Sequence, residues 1–400
     1  MTDLLADPSG RCPICNGQQH GRILRIEGVP TLCNLLLPTN NEALNVAKGD
    51  IDLHFCRTCG HIFNAAFDPQ LIDYTQAYET SLHYSPRFQA YARSLVKKLV
   101  EEHSLYEKDV IEIGCGKGDF LKLLCEVGDN RGVGFDPSYE ETRNGIAGDT
   151  RRFDVIRDLY TDKHAHYSAD LIVCRQVLEH VDEPRVMVET VRRAIGARSE
   201  TVVFFEVPNV LYTIRDLGIW DLIYEHCGYF SEPSLTHLFA ACGLNPISVA
   251  ETFGGQYLCL EAVPDNDPDP QRSQSRPSEV EALARHAQRF SESYREIVAE
   301  WEQRLQRLCA DDRVVVVWGA GSKGITFLNT IRSSVCIDYI VDINPHKHGL
   351  YVPGTGQRVV APNFLKTCGA DVILVMNPLY SDEIRRAAAQ MKLGAEILEV

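Results

Sequence analysis

The side chains best suited to proton chemistry stand side by side at Tyr224, Glu225 and His226. A histidine can remove a proton from a carbon next to a carbonyl group, and a tyrosine hydroxyl can stabilise the enolate that results. A positioned base of this kind contributes about 10²–10⁴-fold to a rate. We therefore predict that His226 is a base, with Tyr224 on the enolate side. The alternative for His226 is a hydrogen-bonded structural histidine.

Two CxxC pairs are candidates for a metal site. Cys12 and Cys15 form the first pair, and Cys56 and Cys59 form the second. Two such knuckles complete a tetrahedral zinc site with four thiolates. Because protein side chains would fill every position, we predict a structural zinc ion that takes no part in chemistry. The alternative is four ordinary thiols.

A first glycine-rich loop follows an apolar strand and begins a helix. It has GxGxG spacing and not the GxGxxG spacing of dinucleotide-binding loops. Asp136 ends the next strand, where an acid can hold two ribose hydroxyls. The alternative is a glycine turn with an unrelated acid downstream.

An acidic strand end followed by GxGxG resembles the class I methyltransferases, which bind S-adenosylmethionine. The resemblance implies that the loop holds the methionine part and that Asp136 holds the ribose. It places Asp158 near the adenine, and the segment 169–180 resembles the fourth-strand motif of these enzymes. The implied cofactor contacts are Glu112, Gly114, Cys115, Gly116, Gly118, Asp136, Pro137, Asp158 and Gln176.

A second glycine-rich loop occupies 319–324 and has GxGxxG spacing, and Asp342 ends the strand that follows it. Taken alone, this pattern is the dinucleotide fingerprint and predicts NAD. A second interpretation is a Rossmann-like unit that only packs on the rest of the chain.

The order of motifs along nearly the whole chain resembles the sugar C-methyltransferases that act on nucleotide-linked ketosugars. The shared motifs are the two CxxC pairs, the class I core, an EH…YFS segment, a GGQYL run and a final GAGSKG loop. The resemblance implies that His226 is the base and that Glu225 and His180 assist or orient it. It also implies that the second loop holds a nucleotide through Gly321, Ser322, Lys323 and Asp342.

This chain departs from the family at one position. The sugar enzymes read Tyr-His-Glu-His where this chain reads Ile223-Tyr224-Glu225-His226, so the tyrosine is shifted by one residue. The family also has tyrosines near its ligands in the segment that begins here at Tyr74. Tyr78 and Tyr84 are therefore further candidate substrate contacts, and Asn209, at the end of the strand that contains Glu206, is another.

The elements that must position these residues fall into three stretches. We predict a zinc-binding module at 1–85, a methyltransferase core at 86–263 and a Rossmann-like substrate domain at 278–400, after a proline-rich linker. Strands alternate with helices in the last two stretches, so the predicted fold is α/β with two Rossmann-like units. A long helix from Ser278 to about Cys309 carries an apolar stripe, which we expect to pack against its own domain.

Composition limits the partners and the compartment. The 400 residues carry a net charge of −15, which argues against a nucleic-acid partner and an anionic membrane surface. No apolar run approaches the ~20 residues of a membrane span, and no signal-peptide pattern opens the chain. We therefore expect a cytoplasmic protein whose fourteen cysteines are reduced thiols. The sequence does not indicate an oligomeric state.

Together these features predict an S-adenosylmethionine-dependent methyltransferase with a structural zinc ion and a small-molecule substrate. The predicted reaction is methylation of a carbon next to a ketone in a nucleotide-linked sugar. The alternative is O- or N-methylation of a sugar or specialised metabolite, which needs only a weak base. A cofactor-binding protein without activity and an NAD-dependent oxidoreductase are less favoured alternatives.

Overall fold

The computed structural model describes residues 10–73, 82–140, 153–265 and 276–400. Within these ranges the strands are β1 (His20–Pro30), β2 (Lys48–Cys56), β3 (Ile62–Asn64), β4 (Asp109–Ile113), β5 (Arg131–Phe135), β6 (Phe153–Ile156), β7 (Leu171–Arg175), β8 (Val202–Pro208), β9 (Gly228–Tyr229), β10 (Leu244–Thr252), β11 (Tyr257–Pro264), β12 (Val315–Trp318), β13 (Tyr339–Val341), β14 (Arg358–Val360), β15 (Val372–Val375) and β16 (Glu396–Glu399). The helices are α1 (Asn40–Leu44), α2 (Pro86–Glu102), α3 (Asp119–Gly128), α4 (Pro184–Ile195), α5 (Val210–Ile214), α6 (Glu232–Ala241), α7 (Pro277–Ala310), α8 (Ser322–Thr330), α9 (Leu365–Cys368) and α10 (Ser381–Met391).

The central sheet has the order β10-β11-β8-β7-β4-β5-β6. The strands β4 to β8 are parallel, as the alternation of helices and apolar runs predicts. β10 and β11 add an antiparallel edge that the sequence analysis did not identify. Their turn uses Gly254 and Gly255, whose φ angles of 64° and 82° suit glycine.

A second sheet, β1-β2-β3-β9, is antiparallel and belongs to the N-terminal part of the chain except for β9. The sequence analysis placed no strand in this part of the chain, although β1 has 11 residues. The pairing of β1 with β2 shifts register twice, between Arg22 and Leu24 and between Ile26 and Val29. These irregularities interrupt the two-residue alternation from which strands are predicted.

The third sheet has the order β14-β13-β12-β15-β16, and each neighbouring pair is parallel. Its central strand, β12, is buried along its whole length. The second glycine-rich loop follows this strand directly. The predicted second α/β unit is therefore present at the C-terminal end of the chain.

Helix α7 packs against its own domain, as expected, with Trp301 edge to face on Phe327 at 5.6 Å, and it also packs against the N-terminal sheet. Its buried Leu283 and Phe290 share one apolar cluster with Ile23 and Phe55 of the N-terminal sheet. A Cβ built on Gly60 would lie 2.9 Å from Cδ1 of Leu283. The helix therefore joins the C-terminal unit to the segment that carries the second CxxC pair.

The prediction that all cysteines are reduced thiols also differs from the structure. Cys309 and Cys336 form a disulfide that joins the end of α7 to the segment after α8. Their Cα atoms lie 6.3 Å apart, within the range that a disulfide spans. The other twelve cysteines, all within the described ranges, form no disulfide, and ten of them are buried. Among the residues that the structure describes, no helix is long and apolar enough to cross a membrane.

Candidate active site

The first glycine-rich loop connects β4 to α3 at the carboxyl end of the central sheet. Gly114 has a φ of 70°, and a Cβ there would lie 2.2 Å from Cγ2 of Val177. Gly118, with a φ of 82°, is the residue that precedes α3. A Cβ built on Gly116 would meet no atom within 4 Å. The loop therefore packs closely on the segment after β7 and leaves open space beside Gly116.

Asp136 is bonded directly to this loop. One carboxylate oxygen accepts the N–H of Gly116 at 2.8 Å, and the other accepts the N–H and hydroxyl of Ser138 at 2.8 and 2.7 Å. Cys115 is buried between the loop and β5, with its N–H donating to the carbonyl of Phe135 at 3.2 Å. The structure thus brings Asp136, Pro137 and Cys115 together with the glycines.

Glu112, near the end of β4, is 3% exposed. Its Oε2 has no hydrogen-bond partner within the described ranges. Burial raises the pKa of Glu112 to about 8, against the opposing effect of Arg175. A buried polar atom without a partner is what a bound polar molecule would satisfy. Together with the open space beside Gly116, it shows that this loop fits S-adenosylmethionine.

The two remaining predicted cofactor residues lie on separate segments. Gln176 has a φ of 55° and donates from its amide to Oε1 of Glu206 at 3.2 Å. Asp158 follows β6 and forms an ion pair with Lys163, which lowers the pKa of the carboxyl. Gln176 stands next to Val177 and so lies beside the glycine loop, whereas Asp158 lies at the β6 edge of the sheet.

A histidine from the segment after β7 meets a histidine from the segment that precedes β9. The ring of His180 lies 4.9 Å from the ring of His226, edge to face at 77°. A carboxyl oxygen of Glu179 and one nitrogen of each histidine lie within 4.8 Å of one another. Glu179 is 1% exposed, and neither of its carboxyl oxygens has a partner in the described part of the chain. The sequence analysis gave Glu179 no role in the site. The sequence signal that could have indicated one is its position directly before His180.

Burial determines the protonation of this cluster. It lowers the pKa of His226 well below the usual value, and His180 and Lys323 act in the same direction. It lowers the pKa of His180 to about 4, although Nδ1 of that ring bonds to the carbonyl of Glu225 at 3.1 Å. It raises the pKa of Glu179 to about 8. At neutral pH both imidazoles are neutral and Glu179 is protonated, so either ring can accept a proton.

Glu225 and Tyr224 are directed to the N-terminal part of the chain. Oε2 of the fully buried Glu225 accepts the N–H of Cys33 at 2.8 Å. The Tyr224 hydroxyl accepts the N–H of Asp68 at 2.8 Å and donates to its carbonyl at 3.4 Å. A Cβ on Gly49 would lie 2.3 Å from the Tyr224 ring. These contacts fix the segment that carries His226, and they do not favour the enolate-side role that we predicted for Tyr224.

A cleft of about 950 Å³, open solvent included, separates the second glycine-rich loop from the central domain. Its lining includes the predicted substrate residues Tyr84, Gly321, Ser322, Lys323 and Asp342, together with Gln256 and Tyr257 at the start of β11. The structure therefore brings Tyr84 to the same cleft as the second loop. Tyr78 lies outside the described residues.

Lys323 and Lys347, two cations of this cleft, already have acidic partners. Lys323 bonds to Asp221 and lies 5.4 Å from the centre of the Tyr212 ring. Lys347 donates to Oδ2 of Asp342 at 3.3 Å, and the same oxygen accepts the N–H of Ala320 at 3.0 Å. A phosphate at this loop would compete with Asp221 for Lys323.

Asn209 bonds to the turn that precedes Tyr257, one of the residues that line the cleft. Its side-chain amide donates to the carbonyl of Gly255 at 3.0 Å, and its Oδ1 accepts the N–H of Leu211 at 3.1 Å. The residue is 2% exposed. Asn209 therefore holds the turn before Tyr257, a role that differs from the substrate contact that we predicted.

The four CxxC cysteines converge at a separate place. Sγ of Cys12 lies 3.6 Å from Sγ of Cys59, and Sγ of Cys15 lies 3.5 Å from Sγ of Cys56. All four sulfur atoms lie within 4.8 Å of one another. Tetrahedral zinc with bonds of about 2.3 Å separates its sulfur ligands by about 3.8 Å. The cluster therefore fits a zinc ion.

Two families of known domains match the chain. The family described as "Methyltransferase domain" matches residues 84–249, and the family described as "C-methyltransferase C-terminal domain" matches residues 268–398. The first match contains the first glycine-rich loop, Asp136 and both histidines. The second contains the second glycine-rich loop.

A similar curated protein is the C-methyltransferase NovU of Streptomyces niveus. The two sequences are 25% identical over 410 aligned positions, which cover 96% of this chain and 93% of NovU. The likeness therefore extends over all three parts of the chain.

Solved methyltransferase structures resemble part of the molecule. One is a methyltransferase in complex with the activator Trm112 from Haloferax volcanii, at 15% identity and a TM-score of 0.35, covering 45% of this chain and 98% of that one. Another is magnesium protoporphyrin IX methyltransferase from Synechocystis PCC 6803 with bound S-adenosylhomocysteine, at 17% identity and a TM-score of 0.35, covering 45% and 84%.

Four observations indicate the same class of enzyme: the first glycine-rich loop, Asp136 bonded to it, the central sheet that carries both, and the two matching families. The chain is an S-adenosylmethionine-dependent methyltransferase with a class I Rossmann-like core and a C-terminal domain of the kind found in C-methyltransferases.

Proposed function

We propose that the enzyme methylates a carbon next to a ketone and that the ketone belongs to a nucleotide-linked sugar. The observation that carries this proposal is the neutral pair of His180 and His226 at the carboxyl end of the central sheet. Methylation at a carbon requires a positioned group that accepts the carbon-bound proton, which a neutral imidazole can do, whereas an oxygen or nitrogen acceptor has no such requirement. The family match at 268–398 and the likeness to the C-methyltransferase NovU support carbon as the acceptor.

His226 accepts the proton in this proposal. The electron pair of the broken C–H bond becomes the enolate double bond, and the negative charge moves to the carbonyl oxygen. An imidazolium formed at His226 then lies next to that charge and stabilises it in a site from which water is partly excluded. His180 packs edge to face on the ring of His226 and positions it, and a carboxyl oxygen of Glu179 lies within 4.8 Å of a nitrogen of each ring.

The cofactor is held by the first glycine-rich loop, Asp136 and Glu112. S-adenosylmethionine supplies an electrophilic methyl group when it is bound there. Asp158 and Gln176 complete the proposed binding set at the two sides of the loop. The neutral Glu112 can donate a hydrogen bond as well as accept one.

The second glycine-rich loop binds the nucleotide part of the substrate in this proposal. The N-terminal N–H groups of α8 and the side chains of Ser322 and Lys323 are suited to phosphate oxygens. A Cβ on Gly324 would lie 2.1 Å from the carbonyl of Gly319, so only glycine permits the close approach of helix and loop. The cleft opens from this loop towards Tyr257 of the methyltransferase core.

Zinc has a structural role in this proposal. Cys12, Cys15, Cys56 and Cys59 leave no coordination position for substrate, and the cluster packs on residues of the central sheet. The units 1–85, 86–263 and 278–400 would then stabilise the fold, bind the cofactor and bind the nucleotide, respectively.

Isotope exchange tests the reaction. The enzyme, saturated with S-adenosylhomocysteine, is mixed in D₂O with dTDP-, UDP- or GDP-linked 4-keto-6-deoxyglucose or with the corresponding 4-hydroxy sugars. Proton NMR should show exchange at a carbon next to the ketone, and S-adenosylmethionine should then give a product with a new C–CH₃ bond. Methylation of the hydroxy sugars without exchange would overturn carbon methylation and establish O-methylation.

Calorimetric titration tests the nucleotide. The same complex is titrated with dTDP, UDP, GDP and NAD. Binding of a nucleoside diphosphate supports a nucleotide-linked substrate. NAD binding alone, or no binding, would overturn that part of the proposal.

A further inference from the structure

We infer that the Tyr257 hydroxyl is the hydrogen-bond donor to the ketone oxygen of the substrate. The inference rests on the proposed function, because only an enolate mechanism places new negative charge on that oxygen. A donor aimed at such an oxygen contributes about 10²–10³-fold to the rate. Tyr224, the sequence-based candidate, is bonded through its hydroxyl to the main chain of Asp68.

Tyr257 stands where such a donor is needed. It begins β11 opposite Pro208, the last residue of β8, and therefore lies at the same sheet edge as the first glycine-rich loop. It also lines the cleft that contains Lys323 of the second loop. One side chain thus faces the cleft from the core that binds the cofactor.

The hydroxyl of Tyr257 is available. It makes no hydrogen bond to any residue in the described ranges, although the side chain is partly buried. Tyr229, whose ring packs on His226, differs in this respect, because its hydroxyl donates to the carbonyl of Ile223 at 3.1 Å.

The ring of Tyr257 is held firmly. It stacks on Phe253 with centres 5.1 Å apart and planes 7° apart, and Tyr91 lies 6.1 Å away. Its main chain pairs on both sides, with Pro208 and with Thr252. The neighbouring Gln256 exchanges two amide hydrogen bonds with Asn377 of the C-terminal domain, at 2.8 and 2.9 Å. A donor fixed in this way needs little reorganisation when charge develops.

The charges around Tyr257 keep it in the donor form. Burial raises the pKa of its hydroxyl well above the usual value, and Tyr380, Glu206 and Asp221 act in the same direction. The phenol therefore carries its proton at neutral pH. Glu206 is itself engaged by Arg175, at 2.8 Å, and by Tyr91.

Replacement of the hydroxyl by hydrogen tests the inference. Tyr257→Phe keeps the stack on Phe253 and removes only the donor. With the nucleotide-linked 4-keto sugars named above, kcat should fall about 10²–10³-fold. The exchange of the carbon-bound proton in D₂O should slow in parallel, while the affinities for S-adenosylhomocysteine and the nucleoside diphosphate stay close to wild type. Tyr294→Phe, a buried change on α7, is the matched control and should retain wild-type rates.

A failure of the proposed function and a failure of this inference alone give different results. If the wild-type enzyme neither exchanges nor methylates any of the three keto sugars, the proposed function fails and this inference fails with it. If the wild type is active and Tyr257→Phe keeps kcat within about threefold, the inference alone is overturned. If Tyr257→Phe does not fold, Tyr257→His takes its place in the test. The imidazole keeps a hydrogen-bond donor and a planar ring against Phe253, so this variant should keep part of the wild-type exchange rate.

Discussion

The ammonium group of Lys323, in the second glycine-rich loop, bonds to the carboxylate of Asp221 in the segment that leads to His226. Each side chain is 17% exposed, so the pair is largely removed from water. The contact links the proposed nucleotide-binding loop to the segment of the proposed base. It is supported by Trp220 and Phe327, whose rings pack edge to face at 4.9 Å.

This ion pair predicts opposite effects of two substitutions on nucleotide affinity. A diphosphate must take Lys323 from Asp221, so Asp221→Asn should tighten dTDP binding. Lys323→Met should weaken it about 10–100-fold, the value of a hydrogen bond to a charged group. Calorimetric titration measures both, and the exposed Asp311→Asn is the control. Equal affinities in all four proteins would show that Lys323 does not contact the phosphates.

The base is tested by His226→Asn. Loss of the proton acceptor should lower turnover at least 10²–10⁴-fold, while the affinity for S-adenosylhomocysteine stays nearly unchanged. His180→Asn should lower it less, because His180 acts through the ring that it contacts. The exposed His166→Asn should behave as wild type. Full activity of His226→Asn would exclude His226 as the base.

Because Glu179 is buried, we predict that the free energy of unfolding depends on pH. The folded chain holds this proton up to a pKa of about 8, whereas an unfolded glutamate loses it near pH 4.5. The contribution of Glu179 is therefore complete below pH 4.5 and is lost as the pH rises towards 8, by up to about 1.4 kcal/mol per pH unit.

Glu179→Gln removes this titration. Its thermal midpoint should rise relative to wild type between pH 5 and pH 8, and scanning calorimetry of the two proteins at both values measures the difference. Glu200→Gln, an exposed change, should show no such trend. If the thermal midpoints of wild type and Glu179→Gln change by the same amount with pH, Glu179 is not a buried, protonated side chain.

Zinc removal is expected to destabilise the fold without changing the chemistry. Cys15→Ser should abolish stoichiometric zinc, measured by elemental analysis, and lower the thermal midpoint. The free energy of zinc binding to small four-ligand domains, about 10–16 kcal/mol, is largely folding free energy. Cys368→Ser, outside the cluster, should keep both zinc and midpoint. A metal-free wild-type protein with the same midpoint would refute the structural zinc.

Several features were predictable because their signals are local. Four cysteines in two CxxC pairs imply a shared site at any separation, and the structure brings their sulfur atoms within 4.8 Å. Buried parallel strands such as β4 and β12 read as short apolar runs before glycine-rich loops. The GxGxG spacing and Asp136 are likewise local signals, and in the structure the N–H of Gly116 donates to the carboxylate of Asp136.

The direction of individual side chains was decided by contacts between distant segments. Tyr224 and His226 are neighbours but not equivalent: the Tyr224 hydroxyl bonds to Asp68, while the ring of His226 meets His180. β9 pairs with β3 through Tyr229 and Ile62, which no local pattern indicates. The sequence by itself thus determined which chemistry the chain carries. Only the tertiary structure decided which groups meet, because long-range packing selects the orientation of each side chain.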